Sequence, residues 1–161
     1  MYSLPLTAAL LLAAAPLALA APTPKPTLPK DVSTGHFAAG AVGRVTHEKI
    51  MGRDVDGRFQ GNKPVTRYEL AVTLDRFVRY VEAARKPLHP AEKPAPVTVP
   101  ARASKAEGAA LTHLVSQGFL PPGSPLLKKD GRQPVTANEL SDALASVTIR
   151  LSDRAEPPHA Y

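Results

Sequence analysis

Between Phe37 and Val45 the apolar residues Phe37, Ala38, Ala41, Val42 and Val45 recur at three- and four-residue steps. That spacing draws one apolar stripe on a short helix and predicts its end near Glu48. The stretch that follows, IMGRDVDGRFQGNKP, holds three glycines, two aspartates and a proline in fifteen residues, so it cannot continue the helix, and Asp56-Gly57 marks a turn. A second stripe, Leu70, Leu74, Phe77, Val78 and Val81, predicts a helix from Arg67 to about Ala83. The plan then recurs. Leu111, Leu114, Val115 and Leu120 form a third stripe, whose helix Gly118 closes. Lys129-Asp130-Gly131-Arg132 turns the chain, and a fourth helix bears Leu140, Leu144, Val147 and Leu151. The pattern predicts a mainly α chain of two small helix-loop-helix units, at residues 31–85 and 104–154.

The helix starts carry their own signals. Thr66 and Glu69, Ser104 and Glu107, and Thr136 and Glu139 each have the spacing of a capping box, in which the hydroxyl accepts from the third amide and the carboxylate accepts from the first. Val65-Thr66-Arg67-Tyr68-Glu69-Leu70 returns as Val135-Thr136-Ala137-Asn138-Glu139-Leu140, 70 positions later, while Val42 and Leu111, Val45 and Leu114, and Ile50 and Phe119 stand 69 apart. So steady an offset reads as an internal duplication in which neither copy buries its apolar face alone.

Prolines divide the chain. Pro22, Pro24, Pro26 and Pro29 predict an exposed polyproline-like spacer over residues 21–30, and Pro87, Pro90, Pro94, Pro96 and Pro100 predict a Pro/Ala/Lys-rich linker over residues 86–103. Pro157 and Pro158 put a loose tail at residues 155–161. Residues 1–20 have an apolar centre from Leu6 to Ala15, a helix-breaking Pro16 and the small-x-small sequence Ala18-Leu19-Ala20, which together read as a cleaved secretory signal peptide. Pro5, Pro16 and the lack of flanking basic residues disfavour a retained transmembrane anchor. Cysteine is absent, which removes disulfides, thiol catalysis and a lipid-attachment thiol together. The net charge of +6 suits an anionic partner or, since the basic residues are scattered, equally the solubility of a Pro-rich secreted chain, and export argues against nucleic acid.

With these residues in place, the first unit resembles an S-layer homology (SLH) domain. The family pattern is visible as Asp31-Val32, His36-Phe37-Ala38, Ile50-Met51-Gly52, Asp56-Gly57-Arg58-Phe59 and Thr66-Arg67-Tyr68-Glu69, in that order, across about a third of the chain. The resemblance implies a non-catalytic module that attaches exported proteins to peptidoglycan or to an acidic polysaccharide linked to it, pyruvylated forms included. It implies glycan contacts by Arg67, Phe37, Asp56, Gly57 and Asn62. A planar fork of donors at a helix N-terminus suits a carboxylate, because the guanidinium and the free backbone amides would both face the anion. Taken without the resemblance, Arg67 reads as a solvated first-turn side chain that contributes little. Phe37 stands where the family usually has Trp, and Gly61 stands where many members have Pro. The second unit has Ala137 at the arginine position, so it resembles a degenerate SLH repeat. The familiar assembly packs three repeats, whereas this chain offers one good copy and one worn copy.

Other chemistry fits poorly. Asp54-Val55-Asp56-Gly57 hints at calcium, but an EF-hand loop counted from Asp54 needs Gly where Phe59 stands and Glu where Val65 stands. The five histidines never reach metal-ligand spacing, and no nucleophile elbow or paired catalytic carboxylates occur. The reading is therefore a protein that is not an enzyme, needs no cofactor or metal, and resides in the periplasm or cell envelope on a peptidoglycan-linked polysaccharide. The alternative is an envelope scaffold that oligomerises or binds another envelope protein without glycan.

Overall fold

The computed structural model describes residues 26–84, 96–127 and 130–155. The expected signal peptide, much of the second linker and the tail beyond residue 155 lie outside these. Four helices form: α1 (Ala39–His47), α2 (Arg67–Ala84), α3 (Lys105–Ser116) and α4 (Ala137–Ala155), with a 3-10 turn at Pro125–Leu127. Among the described residues there is no strand, only one isolated antiparallel bridge between Thr66 and Pro134.

Local chemistry sets the ends. Lys49 takes a left-handed backbone, φ 58°, in the place glycine usually fills after a helix, and the Met51 amide returns to the Val45 carbonyl at 3.0 Å to close α1. All three capping boxes form. Thr66 and Glu69 exchange hydrogen bonds of 2.9 and 3.2 Å, Ser104 and Glu107 of 2.7 and 3.3 Å, and Thr136 and Glu139 of 3.0 and 3.3 Å. Gly118, at φ 73°, turns the chain out of α3.

The core is not built within either predicted unit. Tyr68, Leu70, Ala71, Leu74 and Val78 of α2 pack on Leu111, Leu114 and Val115 of α3, and on Phe119, Leu120, Leu126, Ala143, Val147 and Leu151. α1 lies outside this cluster. Its buried residues Ala39, Gly43 and Thr46 face elsewhere, and a Cβ on Gly43 would come 3.1 Å from Leu28 and 3.6 Å from Pro26. Pro29 is fully buried, so the end of the first proline segment is packed rather than an exposed spacer. The same holds for the second segment, where Val97 and Ala103 pack against the core. A proline-rich stretch that runs alongside a short helix covers apolar surface the helix cannot cover itself.

The fourth stripe divides. Val147 and Leu151 are buried as expected, but Leu140 is 37% and Leu144 44% exposed, and Ala143 takes the inward position instead. Polar ties fix this orientation of α4. The Ser146 hydroxyl donates to the Phe119 carbonyl at 2.8 Å, and the Arg154 guanidinium lies 4.5 Å over the Phe119 ring while donating to the Gln117 carbonyl.

Candidate functional site

The two copies of the Val-Thr-x-x-Glu-Leu segment meet. The Val135 amide donates to the Val65 carbonyl at 2.8 Å, and the Arg67 and Tyr68 amides donate to the carbonyls of Gln133 and Gly131 at 3.2 and 3.0 Å. With the Thr66 and Glu69 amides taken up by the capping box, each amide from Thr66 to Glu69 has an acceptor inside the protein. The start of α2 is therefore already satisfied, without an external anion.

Arg67 lies in this junction, buried at 8% exposure. Its Nε and Nη2 reach Oε1 of Glu139 at 3.1 and 2.9 Å, and Nη1 lies 3.4 Å from Oδ2 of Asp130. The capping glutamate of the second copy thus does two jobs, with Oε2 on the Thr136 amide and Oε1 on Arg67. The Arg67 hydrogen bond and then the Thr136 amide hold Glu139 below the usual carboxylate range, and Glu139 in turn pushes the guanidinium up. Neither the ligand contact nor the solvated side chain of the sequence reading describes this placement. The missed signal was the pairing of the two repeated segments, which puts the arginine of one copy beside the glutamate of the other.

None of the other expected contacts is among the hydrogen-bond partners of the Arg67 guanidinium, which are Glu139 and Asp130. Phe37 is 96% exposed, with the His36 ring 4.6 Å from its own between centroids. Gly57, at φ 80°, turns the loop, and its carbonyl accepts from the Lys30 amide at 3.2 Å. Asp56 is exposed. Asn62 borders a shallow hollow with Asp31, His36, Phe59 and Gly61, and neither Arg67 nor Phe37 is part of its wall.

Two other aspartates build the loop. Asp31 accepts the Phe59 and Gln60 amides at 2.7 and 2.8 Å, one on each carboxylate oxygen. Asp54 accepts the Asp56 and Arg58 amides at 3.0 and 2.7 Å and the Gln60 side-chain amide at 2.6 Å. The backbone donors, Phe59 first for Asp31 and Arg58 first for Asp54, hold both carboxyls below their ordinary value. Their oxygens accept loop amides, so the two acidic side chains act as folding devices that hold the loop's shape. Among the described residues, no group of three or more His, Cys, Asp or Glu converges on one point, and no helix is long and apolar enough to cross a membrane.

A second groove runs beside the outer face of α2. Met51, Gly52, Arg53 and Asp54 form one wall, with Phe59, Gln60, Lys63 and Pro64, and Glu69, Val72, Thr73 and Arg76 form the other. It widens into an adjoining cleft bordered by Lys49, Arg53, Arg76, Arg79 and Tyr80. Sequence reading did not single out Arg53 or Arg76, because nothing in the linear order shows that the turn after α1 comes to lie against α2.

Comparison with known proteins agrees with the loop and helix start just described. Over 84 residues, 51% of this chain, the sequence is 33% identical to outer membrane protein SlpA of Deinococcus radiodurans, of whose length the aligned stretch covers 7%. No solved structure matches the chain. Residues 30–71, from the Asp31 anchor through the Gly57 turn to the first turns of α2, match the S-layer homology domain model.

Proposed function

We propose that this chain is an exported, non-catalytic module that attaches to the cell wall through an acidic polysaccharide linked to peptidoglycan. The observation that carries the reading is the S-layer homology match over residues 30–71, the segment whose loop is held rigid by Asp31 and Asp54. The similarity to a protein named as an outer membrane protein supports an envelope location. A basic chain of net charge +6 suits an acidic polymer. In this reading Asn62, Asp56, Gly57 and Phe37 meet sugar from the exposed side of the loop. Arg67 acts from beneath, fixing the start of α2 through Glu139. Sedimentation of the mature chain with purified sacculi tests the reading: retention of most of the protein is expected, with Asn62→Ala weaker, and a chain that stays wholly in the supernatant overturns it.

One observation favours self-association as a second reading. Leu140 and Leu144 stand 70 positions after Leu70 and Leu74, which are 6% and 2% exposed because α3 covers them, yet on α4 they are 37% and 44% exposed. The half-buried Val42 and Val45 of α1 stand 69 positions before Leu111 and Leu114 of that same α3. The occupant that fits is a second copy, laying its α1 on α4 as α3 lies on α2. Light-scattering mass decides this: oligomer is expected, and a monomer at high concentration removes the reading.

A further inference from the structure

The turn after α1 and the outward stripe of α2 bring together a cluster of positive charge beside α2. Arg76, Arg79 and Tyr80 fall at three- and four-residue steps on the side of α2 opposite Leu74 and Val78. Facing them are Lys49, on its left-handed backbone, and Arg53. Arg53 is aimed by its contacts with the Thr27 carbonyl and with the Thr46 hydroxyl, the latter at 3.3 Å. Four cations thus border one cleft. The single carboxylate in its wall, Glu48, lies 3.2 Å from His47. Arg79 is tied to Asp75 at 3.0 Å, and among the described residues Lys49, Arg53 and Arg76 form no ion pair. With Arg79 paired and Glu48 the one carboxylate in the wall, Lys49, Arg53 and Arg76 leave the cleft net positive, and a bound anion would relieve their mutual repulsion.

The cleft adds an apolar face to this charge. Tyr80 is 39% exposed at its edge, so a flat ring stands beside the guanidinium forks. Met51, Gly52, Arg53 and Arg76 belong both to the cleft and to the groove that continues to Lys63 and Glu69. Along α2, the span from Glu69 to Tyr80 is about 16 Å at the helical rise per residue, which accommodates more than one sugar.

We infer that this cleft, between the Lys49–Arg53 turn and the Arg76–Tyr80 face of α2, is an anion subsite that takes the carboxylate or phosphate of an acidic sugar, with Tyr80 against the sugar ring. The inference deepens the wall-binding reading and rests on it for its biological ligand. It moves the anion contact away from Arg67, whose donors Glu139 and Asp130 already hold.

Two measurements on the full mature chain keep the two readings separable. In sacculus sedimentation, Arg76→Gln should weaken retention about tenfold, the scale of one lost charge-assisted contact, with an unchanged melting temperature because Arg76 is exposed and forms no ion pair among the described residues. Tyr80→Ala should also weaken it. If wild type is retained and Arg76→Gln, Tyr80→Ala and the Arg53→Gln/Arg76→Gln double variant all match it within about twofold, the subsite is wrong while wall binding stands. If wild type is not retained, wall binding fails, and direct titration with trigalacturonate and with a glycerol-phosphate oligomer still decides the subsite. Arg76-dependent binding of either probe supports the inference and identifies the anion, whereas no binding of either overturns it.

Discussion

Tyr68 and Gly131 show at single-residue scale why the two repeated segments cannot part. The Tyr68 ring is fully buried, and a Cβ on Gly131 would come 2.0 Å from its Cε1. A backbone shift to relieve this would strain the hydrogen bond from the Tyr68 amide to the Gly131 carbonyl at 3.0 Å. Gly131→Ala is therefore expected to cost about 1–3 kcal/mol, the range for overpacking a closed core, read as a lowered denaturation midpoint. The Tyr68 hydroxyl is buried with no partner among the described residues. Tyr68→Phe should then leave stability unchanged or raise it by about 1 kcal/mol, since it removes a polar group that lost its water on folding; a clear loss would show that the hydroxyl is bonded. Arg67 and Glu139 make the matching polar contact at 2.9 Å. The variants Arg67→Ala and Glu139→Ala should each lower the melting temperature, and in combination cost less than the sum, as residues sharing one contact do.

At the scale of elements, acid should loosen the acceptors before the helices melt. Asp31 and Asp54 have folded values below the ordinary carboxylate value of about 4. Their stabilising contribution is complete above that value and is lost as pH falls through the lowered folded values. Asp75 behaves likewise. Burial opposes its charge, but His113 at 2.5 Å and Arg79 at 3.0 Å more than offset this and keep its carboxyl low, which ties α2 to α3. The protection factors of the Phe59 and Gln60 amides, corrected for the intrinsic slowing of exchange in acid, should therefore fall as pH drops through the lowered folded values below about 4; protection factors unchanged by Asp31→Asn would mean the aspartate does not hold the loop. The helices themselves were legible, because stripes, caps and breakers are local. Ser104 and Glu107 announce α3 and Gly118 ends it. The tie between Asp75 and His113, and the burial of Arg67, were not legible, since both partners come from segments far apart in the chain.

The whole molecule is held by an exchange between its halves. α2 follows the loop that matches the S-layer homology model, but its apolar face is covered by α3, the 3-10 turn and α4. Residues 31–85 cut out alone would expose Leu70, Ala71, Leu74 and Val78 together, so that fragment should lack a cooperative thermal transition by circular dichroism, while the mature chain should show one. The 69- and 70-residue offsets pointed to helices that need each other; which helix meets which depended on the pairing of Val65–Tyr68 with Gly131–Val135, a contact no periodicity encodes. That exchange leaves the loop and the groove beside α2 on one rigid support facing outward. The central claim is that this support holds an acidic wall polysaccharide, and its most direct test is the equilibrium binding of the mature chain to sacculi before and after the attached polysaccharide is stripped. The account predicts saturable binding to intact sacculi that is lost on stripping and weakened by salt; equal binding to both, or to neither, would contradict it.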